Sequence, residues 1–164
     1  MEKTFTSLLF LPFLLLTGCT NKYAMNENTF YLVMTNIQHF PEEYIDKEIS
    51  FDSFTYKLTS VTGDDYLCIV RKCSSEFGCK CGKDTVIGFL VDNDLGLPEP
   101  KNQYDDTNEK AWVHVVGELK STERIAFDIY NGNNEPETVK FLKLQVNNFS
   151  VIDDYSNLHY YVDK

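Results

Sequence analysis

Cys68, Cys73, Cys79 and Cys81 lie within fourteen consecutive residues, and Asp84 follows three positions later. Thiols set this close can act together in three ways. They can form disulfides, for which four cysteines allow three pairings. A Cys79–Cys81 bridge would be strained, so each of these two would pair across to Cys68 or Cys73. They can instead hold Zn2+ tetrahedrally as thiolates. The spacing is C-x4-C-x5-C-x-C, not the C-x2-C pairs of the usual zinc knuckles. Gly78 and Gly82 allow the turns, however, and Lys72, Lys80 and Lys83 would offset thiolate charge. Asp84 would then hydrogen-bond a ligand or serve as one. Third, Cys79-Lys80-Cys81 can cycle as a dithiol, its thiol pKa lowered by cationic neighbours, although no C-x-x-C at a helix start supports this. Cys68 is the least secure member, because it sits in the apolar run YLCIVR, where a buried structural thiol is ordinary.

The remaining residues offer little for catalysis. His39, His114 and His159 are far apart and make no H-x-x-x-H pattern. A strand histidine such as His114 faces outward or is satisfied by a neighbour. Asp92-Asn93-Asp94-Leu95-Gly96 has a faint calcium-loop look but lacks the later bidentate Glu, so it reads as a polar turn. There is no G-x-S-x-G, phosphate loop or dinucleotide fingerprint. The net charge is −10 and the pI about 4.7. Such a surface repels nucleic-acid phosphates, which argues against nucleic acid as a partner. Trp112 at a strand start belongs in a core, since a base-stacking platform needs a basic groove. The expectation is a binding protein and not an enzyme.

The chain starts MEKTFTSLLFLPFLLLTGC. Leu8 to Leu16 is almost unbroken apolar sequence, too short to span a bilayer but suited to the h-region of a signal peptide. Leu16-Thr17-Gly18-Cys19 then resembles the lipobox of bacterial lipoprotein precursors. That resemblance implies cleavage before Cys19, a diacylglycerol on its thiol, and an extracytoplasmic domain anchored by lipid to the cell membrane or outer membrane. Residues 1–18 are thus expected to be a signal peptide. Residues 19–30, polar and without periodicity after Cys19, are expected to be a flexible tether.

The elements that must position the cysteines are mostly strands. A short helix is expected near Val33–Phe40, stopped by Pro41. Glu48 to Leu58 alternates, with a shift of phase near Ser53 that marks a bulge or bend. Tyr66–Arg71 and Thr85–Val91 are short apolar strands, the second with Gly88 where a barrel strand would bend. Asp92–Lys110 reads as a long loop, and Ala111–Lys120, Arg124–Tyr130 and Val139–Ile152 as further strands. Ten Tyr and twelve Phe favour a β-rich core. The expectation is a mainly all-β domain over 31–155, a small barrel of five to six strands with a short N-terminal helix and a C-terminal tail at 156–164.

Three short motifs tie these elements to a family. Tyr44-Ile45-Asp46-Lys47-Glu48-Ile49 opens the first long strand, the Cys segment runs into Asp84, Val86, Gly88 and Phe89, and Trp112-Val113-His114-Val115-Val116-Gly117 marks a later strand. The set resembles the extracytoplasmic C-terminal domain of a permease-subunit family of bacterial membrane proteins, over roughly residues 31–152. In that family Y-x-G-K-x-I, Cys-Cys-x-x-Asp and W-V-x-V-x-G occupy these places. The resemblance implies an OB-like barrel outside the membrane and, as partner, a membrane permease. It lends no settled activity. Asp46 here replaces the family's usual Gly, Lys80 separates two cysteines that are adjacent there, and a lipid stands in for the permease part. The leading expectation is a lipid-anchored accessory to a transporter, holding Zn2+ or another ligand through Cys68–Asp84. The alternatives are a cell-envelope thiol–disulfide protein using Cys79 and Cys81, and a structural envelope protein whose disulfides are inert.

Overall fold

The computed structural model describes residues 22–73, 79–81 and 84–162, with the backbone alone at 79–81 and 84. The expected signal peptide and Cys19 lie outside these residues. The elements are β1 (Lys22–Ala24), α1 (Phe30–His39), a 3-10 turn (Pro41–Tyr44), β2 (Glu48–Thr59), β3 (Asp65–Cys73), β4 (Cys79–Cys81), β5 (Asp84–Leu90), β6 (Trp112–Tyr130) and β7 (Pro136–Val151).

Five strands close a barrel in the order β2-β3-β5-β7-β6, with β6 returning to pair β2. β5 and β7 run parallel and the other barrel pairs antiparallel. This is a small OB-like all-β fold. Closure depends on β2 serving two partners. Glu48–Phe54 pairs with β6, and Phe54–Thr59 pairs with β3. The phase shift at Ser53 is this handover. Phe51 points into one core and Phe54 into another. The expected strands 111–120 and 124–130 are one strand, β6, carried through a bulge between Leu119 and Arg124.

The barrel interior holds Ile49, Phe51, Ile69, Phe89, Val113, Val115, Leu142 and Leu144. α1 closes onto this core with Phe30, Met34 and Ile37, spaced four and three residues apart on one face. Burying each such side chain contributes about 1.5–3 kcal/mol. In the last turn of α1, Gln38 links β5 to β6. Its amide donates to Gly88 O at 3.2 Å, and Arg124 donates to its side-chain oxygen at 2.8 Å and to its backbone carbonyl. A second core lies on the opposite face of β3 and β5, where Cys68, Val70, Val86 and Leu90 pack with Phe54, Tyr56, Trp112, Phe127 and Phe141.

Both ends of the chain depart from expectation. Residues 22–24 do not belong to a flexible tether: they pair in parallel with Glu48–Ser50, and Met25 is buried. The residues after 155 are no tail either. Leu158 is buried in the second core, Lys72 N–H donates to Tyr160 O at 2.8 Å, and Val162 N–H donates to Lys72 O at 3.1 Å. Polar sequence without periodicity reads as a loop, but main-chain pairing to a sheet needs no side-chain pattern.

Candidate functional site

The cysteines fall on three strands, and the register decides which can meet. Cys68 and Cys73 are five residues apart on β3, so strand alternation puts them on opposite faces. Cys68 is buried among the second core, where desolvation pushes its thiol far above the ordinary value. Cys73 is buried in the barrel interior. One metal ion or one bond cannot serve both, so the structure does not bring Cys68 into the expected four-cysteine group. The reason is the odd spacing within a strand, which sequence proximity conceals.

β5 pairs β3 along one edge and β4 along the other. Cys73 therefore shares a row with Thr85 and Lys80, whereas Cys79 shares a row with Val86 and Lys72. Two strand spacings, about 10 Å, separate the β3 and β4 backbones. That exceeds the Cα separation of about 4.4–6.8 Å that a disulfide tolerates. Cys81 stands directly opposite Asp84 across the β4–β5 hairpin, and Cys79 is two residues from Cys81 on the same strand. The side chains of Cys79, Cys81 and Asp84 are outside the described residues. Among the described residues no group of three His, Cys, Asp or Glu is placed to hold a metal.

Sequence reasoning missed the buried cations that lead into this hairpin. Arg71 is 1% exposed, its guanidinium carbon 5.3 Å from the Phe30 ring centre and 4.8 Å from that of Trp112. It donates to Glu27, to Asp52 O at 3.2 Å and to His159 O. Burial lowers its pKa, and Glu27 opposes that shift. Lys72 is fully buried, its Nζ 3.7 Å from the Asp106 carboxylate and 5.5 Å from the Tyr160 ring centre. Lys110 donates to Asn102 O and Asp105 O, each at 2.6 Å, and lies over the Phe54 and Tyr160 rings. Beside them a cleft of about 320 Å³ is lined by Asn108, His159, Tyr160 and Tyr161. The signal available was Arg71-Lys72 at the end of an apolar strand, a place where charge normally signals exposure.

Other expectations were narrower. His114 pairs with Asp52 at 2.7 Å on a half-exposed surface. In the Asp92–Gly96 turn, Asn93 Oδ1 accepts the Leu97 N–H at 2.6 Å. Asp46, standing where the resembled family carries Gly, has φ of 56°. In that left-handed region Gly is unstrained, and Asp is among the few other residues that enter it. A model of the DUF1980 C-terminal domain matches residues 17–145 of this chain.

The chain belongs to the DUF1980 C-terminal domain family. The match agrees with the permease-associated resemblance drawn from the motifs. No curated protein and no solved structure matches the chain. The DUF1980 match covers β1 through β6 and runs into β7, so it includes the cysteine hairpin and the Trp112–Gly117 strand. Gly117 has a packing reason in this family motif. A Cβ there would stand 2.6 Å from Gln145 O on β7.

Proposed function

We propose that this DUF1980 domain is a non-enzymatic, lipid-anchored, extracytoplasmic binding domain that works beside a membrane transporter. Its ligand-bearing element is the β4–β5 hairpin, and the ligand class is a divalent metal ion such as Zn2+. The observation that carries this reading is the register that sets Cys81 across from Asp84, with Cys79 on the same strand. Two thiolates and a carboxylate suit Zn2+. β4, the outer strand of the hairpin, is also off the closed path of the barrel, whose interior is filled by side chains. Cys68 has no part in this reading. Lipid on Cys19 supplies the membrane, and the permease-associated resemblance supplies the partner class.

The test is intact mass of residues 20–164, the domain without its lipidated Cys19, recovered from an oxidising compartment, native and then denatured, with thiol alkylation. The expected result is a native mass higher by one zinc ion, lost on denaturation, with Cys79 and Cys81 alkylated afterwards. A metal-free protein with Cys79 and Cys81 resistant to alkylation would overturn the metal reading in favour of inert disulfides. A metal-free protein whose Cys79–Cys81 dithiol opens under mild reductant would favour the thiol–disulfide alternative. Separately, Cys19→Ser is expected to move the protein from the membrane to the soluble fraction.

A further inference from the structure

We infer that the barrel rests directly on the bilayer, with the Phe40 end of α1 and the β1 surface as its lipid-contacting face. The inference rests on the lipid anchor proposed for Cys19. Lys22 already belongs to β1, in register with Glu48 and ion-paired to it at 2.9 Å. Three residues of chain reach from Cys19 to Lys22, at most about 10 Å when fully extended. The headgroup layer on one side of a bilayer is itself about 5–8 Å deep. A diacylglycerol at Cys19 therefore leaves β1 no room to stand away from the headgroups.

The residues around β1 have interfacial chemistry. The Tyr23 and Tyr44 rings meet at 4.9 Å, and Lys47 Nζ lies over both at 5.3 and 5.8 Å and donates to Tyr23 Oη at 3.3 Å. Tyr44 is buried in the core behind them, while Tyr23 and Lys47 are half-buried and have the apolar bodies and polar tips that settle at a membrane–water boundary. Four residues before Tyr44, Phe40 is 52% exposed beyond the end of α1. Glu42 and Glu43 follow it and are exposed. They disfavour an anionic surface, so the occupant is a zwitterionic bilayer reached by insertion of Phe40 and not by charge.

The experiment uses the lipidated protein, made from the full precursor and reconstituted in phosphatidylcholine vesicles with brominated acyl chains. Intact mass first establishes the lipid on Cys19. Trp112, 1% exposed in the second core, gives the unquenched baseline. Phe40→Trp is expected to add blue-shifted fluorescence, most of which the brominated lipid quenches. Thr62→Trp, in the exposed turn at the other end of β2, is expected to add fluorescence that lipid leaves unchanged. Lipidated Phe40→Trp with red-shifted, unquenched emission would overturn the docking, as would equal quenching at both positions. A protein without lipid on Cys19 would overturn the anchor and the docking together.

Discussion

Both carboxylate oxygens of Glu27 lie against one guanidinium nitrogen of Arg71, Nη2, at 2.7 and 2.8 Å. The contact joins the turn before α1 to the end of β3, and His159 N–H also reaches Glu27, at 3.3 Å. Arg71 thus ties both chain ends to the barrel. Removing one partner of a buried pair leaves a desolvated charge, which costs about 3–5 kcal/mol. Glu27→Ala is expected to lose about that much in urea unfolding. Adding Arg71→Met should recover part of the loss, because an apolar side chain of similar reach needs no counter-charge. A double variant no more stable than Glu27→Ala would show that the ring contacts and carbonyls, not the carboxylate, hold Arg71.

Asp46 gives a test that separates backbone strain from surface charge. Its φ is 56°, and its carboxylate accepts from Lys120 at 2.9 Å. The ion pair is exposed and worth about 0–1 kcal/mol, whereas a left-handed residue with a Cβ costs about 1–2 kcal/mol. Asp46→Gly should match or slightly exceed the parent in thermal midpoint. Asp46→Val removes the same charge but puts a branched Cβ in the left-handed region, so it should fall below Asp46→Gly by about 1–2 kcal/mol. Equal losses in the two variants would assign the effect to the ion pair.

Gly88 sets how tightly β3 and β5 approach. A Cβ at Gly88 would fall 2.1 Å from Ile69 O and 2.9 Å from Val70 Cα, both backbone atoms of the paired strand. Neither can move aside without parting the ladder that closes the barrel. Gly88→Ala is expected to destabilise by at least the roughly 1–3 kcal/mol of ordinary overpacking. Gly63→Ala is a control of another kind, since its Cβ would meet nothing within 4 Å and only its φ of 89° resists. Chemical denaturation that ranks Gly63→Ala as the more damaging change would contradict this account of Gly88.

The β2 bend and the strands that bury one face were legible, because Phe51 and Phe54 break the alternation where the partner changes. β1 and residues 158–162 were not, because they join through main-chain hydrogen bonds that leave no apolar period. The cysteines misled in a specific way. Clustering in sequence suggests one site, but the strand between Cys68 and Cys73 turns an odd spacing into opposite faces. Arg71 finds Glu27 at a sequence distance of 44 residues, and nothing local to either residue announces the other.

Cys68 supplies a pH signature. Its thiol is buried and holds its proton well above the ordinary value of 9.0. Above pH 9 the unfolded chain gives up that proton while the folded chain keeps it. The unfolded state then binds fewer protons, so stability falls as pH rises, by up to about 1.4 kcal/mol per pH unit. Below pH 9 both states hold the proton and the contribution is fully present. Other groups also titrate in this range, so the quantity to read is the gap between parent and Cys68→Ala, measured by urea unfolding under reducing conditions from pH 8 to 10.5. The parent should be the more stable at pH 8, because Ala leaves a small void beside Val70 and Leu90. That gap should narrow steadily above pH 9. A gap that stays constant would mean the thiol ionises within the fold, and the second core would then have to admit water.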